Sequence, residues 1–104
     1  MPYSVEVSEE AKAQIDKLDK STGDRIYKKI RALGENPEMG KPLVRSAKLG
    51  AMLWELRLFS PNIRIYYTIQ KCEVVIEEVV YEGTVRVHKI GDKGSQRRDI
   101  GGLS

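Results

Sequence analysis

Apolar and polar residues alternate along two neighbouring stretches of the chain, residues 53–59 and 63–69, which a Ser-Pro-Asn break separates. A period of two residues predicts β-strands, and the short break between them predicts a hairpin. The apolar positions of both strands have to share one face, which places Trp54 opposite Tyr67.

The same register places Arg57 directly opposite Arg64 on the other face of the hairpin. Like charges in directly opposite positions destabilise a strand pair. The pair therefore requires either a carboxylate partner or a bound anion, and this alternative stays open at the level of sequence.

Upstream, the pattern predicts a short strand over residues 3–7 and then two helices. Ser8 is a candidate N-cap for the first helix, because two glutamates and an apolar stripe of helical spacing follow it. The second helix is expected to begin at Ser21 or Thr22 and to end at Gly34.

Downstream, residues 74–81 are rich in β-branched side chains, which predicts a central strand that is buried on both faces. Residues 93–104 are rich in glycine and basic side chains and are expected to form a flexible tail. Residues 1–92 then constitute a single domain.

These elements predict an α+β fold, a small antiparallel sheet of about four strands with the helical hairpin packed on one face. The opposite face is expected to be open. The polar positions expected on it are Glu55, Arg57, Arg64, Tyr66 and Thr68.

Composition narrows the possible functions only moderately. The chain has 104 residues and a net charge of +3, which is compatible with an anionic partner. Cys72 is the only cysteine, and we find no phosphate-binding loop or metal-ligand motif, so we expect neither a cofactor nor a metal. The sequence also shows no signal peptide and no membrane span, which favours a cytoplasmic protein.

The ordered combination of elements closely resembles the RelE/ParE superfamily of toxins from toxin-antitoxin systems. The resemblance runs from residue 3 to about residue 90, and its strongest part is Leu-Arg at 56–57 followed by Arg-Ile-Tyr-Tyr at 64–67. It implies a cognate antitoxin as partner. RelE-like members cut mRNA on the ribosome, whereas ParE-like members poison DNA gyrase, and a toxin fold that has lost its activity is a third alternative.

On the RelE pattern, Arg64 matches the arginine that holds the scissile phosphate. Arg57 matches a basic residue of the first hairpin strand, and Arg86 matches the arginine shortly after the last strand. The carboxy-terminal tyrosine of RelE has no clear counterpart, although His88 is a candidate for its place. Glu55 stands where many RelE-like enzymes carry a lysine.

Cleavage of RNA through its 2′-hydroxyl requires a base, an acid and cations that stabilise the phosphorane. Arginines suit the phosphate, and His88 or Glu55 could transfer the proton. Alternatively, Glu55 is the counter-ion of a structural arginine and His88 is an ordinary surface residue. Candidate RNA-binding residues are Lys41, Arg45, Lys48, Tyr66 and Lys89.

Overall fold

The computed structural model describes residues 2–59, 62–92 and 96–103, and it has the expected α+β architecture. A five-stranded sheet has helices on both faces. The elements are β1 (Ser4–Val7), α1 (Glu9–Asp16), α2 (Lys20–Glu35), a 3₁₀ turn (Pro37–Met39), β2 (Lys41–Ser46), β3 (Ala51–Leu58), β4 (Ile63–Gln70), β5 (Val74–Ile76), β6 (Val79–Tyr81), β7 (Thr84–Asp92) and α3 (Gln96–Leu103).

The strand order of the main sheet is β1-β7-β4-β3-β2. Strand β1 runs parallel to β7, and the other neighbours are antiparallel, so the sheet is mixed and larger than the predicted four antiparallel strands. Strands β5 and β6 form a separate two-stranded sheet.

The predicted hairpin register is confirmed. Trp54 pairs with Tyr67 and Arg57 pairs with Arg64 across β3 and β4. This part of the fold is readable from sequence because a slip by one residue would turn every apolar side chain of the strand away from the core.

The two predicted helices are present, and one of their two N-caps differs from the prediction. The Ser8 hydroxyl accepts a hydrogen bond of 3.1 Å from the amide of Ala11, as predicted. Helix α2 is instead capped by Asp19, whose carboxylate accepts from both the amide and the hydroxyl of Thr22, and it continues one residue beyond Gly34. Thr22 is thus a partner of the cap rather than the cap itself.

Helices α1 and α2 cover one face of the sheet, which we call the first face. Its buried core joins apolar positions of both helices to alternate positions of β3, β4 and β7: Ala11, Ile15, Ile26, Ile30, Leu33, Leu56, Leu58, Ile63, Ile65, Tyr67, Val85, Val87 and Ile90.

The prediction of a buried central strand over residues 74–81 is wrong. These residues form the β5–β6 hairpin, in which Glu77 and Glu78 make the turn, and the central position in the sheet belongs to β4 and β7. A run of β-branched residues indicates a strand but does not by itself tell whether the strand is buried.

The sheet face opposite α1 and α2, which we call the second face, was predicted to be open, and this prediction is also wrong. Helix α3 lies across it, where we expected a flexible tail, and its residues Asp99 and Leu103 are buried. The second apolar cluster that results contains Leu53, Tyr66 and Leu103, with Leu43, Leu49 and Ile100 packed around them. Residues 93–95 and 104 of the expected tail, and residues 60 and 61 of the hairpin break, lie outside the described residues.

Among the helices described here, none combines the length and the apolar character needed to cross a membrane.

Candidate functional site

The second face carries a buried ion pair between Glu55 and Arg64. The two residues lie on neighbouring strands and are 2% and 5% exposed, and an Arg64 guanidinium nitrogen donates a hydrogen bond to Glu55 Oε1. Lys41 Nζ, at the surface, lies 3.9 Å from Glu55 Oε2. Glu55 therefore neutralises the Arg57–Arg64 repulsion that the hairpin register creates.

This arrangement favours one of the alternatives posed by the sequence. Glu55 is buried and bound to a guanidinium, so it is positioned as a counter-ion and is poorly placed to accept a proton from a substrate. Within the described part of the chain, Arg64 Nε has no hydrogen-bond partner. The pair holds the Arg64 side chain in one orientation on the strand beside the exposed Arg57.

Arg57 belongs to an exposed cationic corner of the second face. Arg57, Lys41 and Phe59 line one shallow groove at the end of β3, and Phe59 is 62% exposed. The carbonyl oxygen of Phe59 accepts a hydrogen bond of 2.6 Å from Arg25, which fixes the backbone at this position. We call Lys41, Arg57, Phe59 and Arg64 the cationic corner.

Phe59 was missed as a functional candidate by the sequence reasoning. The signal was available, because the alternation over residues 53–59 places Phe59 on the same side as Arg57, although β3 itself ends at Leu58.

Tyr66 and Lys89 face each other on β4 and β7 beneath α3. Tyr66 is fully buried, and burial raises its pKa to about 12, helped by the negative charges of Asp99 and Glu55. Lys89 Nζ lies 3.1 Å from the Asp99 carboxylate of α3. Neither side chain is presented freely to an RNA strand while α3 occupies this face.

His88 sits at the irregularity in the β4–β7 pairing. Its Nε2 shares a hydrogen bond of 2.8 Å with the Thr68 hydroxyl, and its carbonyl oxygen accepts from the Ser8 hydroxyl at 2.8 Å. Burial lowers the pKa of His88 below the usual 6.5, and the charge of Arg86 lowers it further. At neutral pH the imidazole is therefore neutral and able to accept a proton.

Arg86 is separated from the cationic corner. It forms an ion pair of 2.7 Å with Glu6 on β1. Arg86 lies opposite Thr68 and Arg64 lies opposite Gly91, so four residues of β4, about 13 Å, separate the two arginines along the sheet. The structure thus divides the five predicted catalytic residues into two groups, one at the corner and one beside His88.

The two remaining candidate RNA-binding residues, Arg45 and Lys48, lie in different surroundings. Arg45 is exposed on β2 and lines a groove together with Arg86 and Lys71. Lys48 Nζ donates a hydrogen bond of 3.0 Å to the carbonyl of Gly102, so it helps to hold α3. In the part of the chain that the structure describes, no three His, Cys, Asp or Glu residues are grouped to hold a metal ion.

Several solved structures share this fold. A double arginine-to-alanine variant of Escherichia coli toxin RelE in the free state is 22% identical, covers 99% of this chain and 94% of its own, and has a TM-score of 0.67. The RelBE2 toxin–antitoxin complex of Mycobacterium tuberculosis is 21% identical, with 89% and 100% coverage and a TM-score of 0.63. The intact E. coli RelBE complex is 22% identical, with 86% and 95% coverage and a TM-score of 0.61.

A family model identifies the chain more specifically than these structural likenesses. No curated protein matches the sequence significantly. However, residues 5–87 match the family described as the ParE toxin of the type II toxin-antitoxin system ParDE. Because this match spans most of the chain, the protein belongs to that family within the RelE/ParE superfamily, and it is the toxin of a type II toxin-antitoxin system.

Proposed function

We propose that this toxin acts on RNA, as an endonuclease that cuts mRNA on the ribosome and so inhibits translation. The observation that carries the proposal is the exposed Phe59 ring beside the cations of the second face. Proteins that bind single-stranded nucleic acid combine cations that contact phosphates with aromatic rings on which bases stack. The cationic corner has both components.

Within the corner, each residue has a distinct part. Arg57 is exposed and binds a phosphate in the bidentate manner that guanidinium permits. Phe59 stacks on a neighbouring base. Arg64, which Glu55 neutralises and holds in place, supports Arg57 from the neighbouring strand.

We assign proton transfer to His88, which is neutral at physiological pH and supported by Thr68. His88 is three residues from Gly91, the partner of Arg64, or about 10 Å along β7. The RNA strand therefore has to run across β3, β4 and β7 to reach both groups, along the margin of α3.

The test is controlled expression in cells, with mRNA cleavage read by primer extension. Arg57→Gln and Phe59→Ser are expected to reduce cleavage about 5- to 150-fold, since a charge-assisted contact or a base stack is worth about 1–3 kcal/mol. Arg31→Gln, an exposed cation on α2, is the matched control and is expected to cut normally. Growth arrest with intact mRNA and altered DNA topology would overturn the proposal.

A second candidate function is inhibition of DNA gyrase by binding, without cleavage. Two observations favour it: residues 5–87 match the ParE toxin family, and the arginine that the family resemblance assigns to the scissile phosphate, Arg64, is buried and neutralised by Glu55. Purified toxin that blocks supercoiling by gyrase and leaves ribosome-bound mRNA intact would establish this alternative.

We further propose that the cognate antitoxin covers the cationic corner with an acidic segment. Two of the similar structures are complexes of a toxin with its antitoxin. The exposed cations Lys41 and Arg57 suit acidic side chains, and their contacts would block access of RNA to Phe59.

A further inference from the structure

The main sheet is split at one end, between β3 and β4. The pairing of these strands ends at Trp54 and Tyr67, although β3 extends back to Ala51 and β4 continues to Gln70. Beyond that point β3 pairs with β2 alone and β4 pairs with β7 alone. A groove of about 480 Å³ opens there, within the range of about 300–1,000 Å³ that is typical of ligand sites.

The two walls of this groove come from the two sides of the split. Residues 50–52 line one side and residues 68–71 line the other. At Gly50 an added Cβ atom would meet nothing within 4 Å, so the turn between β2 and β3 leaves the groove open. We call it the split-sheet groove, and its polar and charged side chains are Arg45, Thr68, Gln70, Lys71 and Arg86.

The split-sheet groove is cationic. Arg45 on β2, Lys71 directly after β4 and Arg86 on β7 line it, and among the described residues no carboxylate does. These cations come from three separate segments of the chain, and the fold brings them to one concave surface. A concave surface lined by charges of one sign concentrates ions of the opposite sign.

The counter-ions of these cations are easily replaced. Lys71 lies 3.3 Å from Glu38 and Arg86 lies 2.7 Å from Glu6, and the four side chains are between 49% and 65% exposed. Exposed ion pairs contribute little to stability, so an incoming phosphate displaces these carboxylates at low cost. In the described part of the chain, Arg45 forms no ion pair at all.

The groove also borders the histidine to which we assign proton transfer. The Thr68 hydroxyl lies in its lining and shares a hydrogen bond of 2.8 Å with His88 Nε2. Arg86 lies about 13 Å along the sheet from Arg64, which belongs to the cationic corner. At a stacked spacing of about 3.4 Å per nucleotide, about four nucleotides cover this distance.

We propose that the split-sheet groove is a second phosphate-binding subsite, which holds the backbone of the same RNA strand about four nucleotides from the cationic corner. Arg45, Lys71 and Arg86 bind its phosphates, and Gln70 adds a neutral donor. Phosphate contacts carry no sequence information, so the subsite positions the strand beside His88 and does not select its bases. The inference rests on the RNA binding that the proposed function requires.

The experiment measures binding of fluorescent 2′-O-methyl RNA, which lacks the attacking hydroxyl, to the purified toxin by anisotropy. An octamer is long enough to reach both sites, whereas a dinucleotide occupies only one. The double variant Arg45→Gln with Lys71→Gln is expected to bind the octamer at least about tenfold more weakly and the dinucleotide within about twofold of the wild type. The salt dependence of octamer binding is expected to lose about 1.4 in slope, or about 0.7 per phosphate contact.

The matched control is Lys28→Gln with Arg31→Gln, which removes two exposed cations from α2, outside both sites. This variant is expected to bind the octamer as the wild type does. Glu38→Gln, which frees Lys71 from its carboxylate, is expected to bind the octamer more tightly. Circular dichroism is expected to be unchanged in all of these variants, because the replaced side chains are exposed.

Equal weakening of octamer binding in the groove variant and in the control would overturn the subsite, as would equal weakening for octamer and dinucleotide. A groove-dependent preference for duplex DNA over RNA would overturn it too. The proposed function fails separately, when the wild type leaves ribosome-bound mRNA intact in primer extension. Normal cutting together with unchanged octamer binding by the groove variant would leave that function in place and remove the subsite.

Discussion

Replacement of Glu55 by glutamine tests whether the buried ion pair holds the second face together. The variant keeps the shape of the side chain and removes the charge that neutralises Arg64, which is only 5% exposed. A buried charge that loses its partner destabilises a protein by about 3–5 kcal/mol. Small domains have total stabilities of about 5–15 kcal/mol, so this is a large fraction of the total.

The assay is equilibrium unfolding in urea, followed by circular dichroism. With an m-value of about 1–3 kcal/mol per M, the midpoint is expected to fall by at least about 1 M. Glu38→Gln is the matched control, because Glu38 pairs with Lys71 at the surface at 3.3 Å and such pairs contribute less than about 1 kcal/mol. If both variants shift the midpoint equally, the ion pair does not stabilise the fold and our reading of Glu55 fails.

The remaining predictions concern α3 and His88. Leu103→Ala is expected to lower the free energy of unfolding in urea by about 2–3 kcal/mol, because Leu103 is 8% exposed and belongs to the second apolar cluster. An unchanged free energy of unfolding would show that α3 does not pack on the second face in solution. Gly101→Ala is expected to raise the stability by up to about 1 kcal/mol, since an added Cβ meets open space in a helix, and a decrease would contradict the helix. Because the pKa of His88 is lowered in the folded protein, the unfolded chain binds more protons than the folded chain just below pH 6.5. The free energy of unfolding is therefore expected to fall as the pH drops through 6.5 towards the folded pKa, and this pH dependence is expected to flatten in His88→Gln. An NMR titration that gives His88 a pKa above 6.5 would refute the prediction.

The hairpin could be predicted from sequence down to individual residue pairs. Alternation along β3 and β4 places Trp54 and Tyr67 on the same side, and the short break between the strands selects the register in which these two residues pair and Arg57 lies opposite Arg64. The helices were equally accessible, because their apolar stripes and the Ser8 cap are local features of the chain.

What the sequence did not reveal depends on contacts between distant segments. The apolar residues of α3 are too few to indicate a packed helix, and their partners on the sheet lie more than 30 residues away along the chain. The β-branched residues at 74–81 were recognised as strand-forming, but they make two short strands instead of one, and their exposure follows from β7 taking the central place beside β4. Likewise, the role of Glu55 as counter-ion required the Arg64 side chain to be seen beside it.

The separation of the predicted catalytic residues has a similar origin. Arg86 was expected shortly after the last strand, but it lies on β7, as Arg64 lies on β4. Their distance along the sheet is set by the pairing of β7 with β4, including the irregularity at His88. Arg86 then finds Glu6 on the parallel neighbour β1, a pairing that no local pattern predicts.

The most direct test of the central claim, that the cationic corner acts on RNA, is a reconstituted reaction of purified toxin with mRNA-programmed ribosomes, measured as the single-turnover cleavage rate. The wild type is expected to cut, and Arg57→Gln is expected to cut about 10–100 times more slowly, as the loss of a charge-assisted contact of about 1.5–3 kcal/mol implies. Intact mRNA in this reaction, together with inhibition of gyrase by the same preparation, would contradict the account.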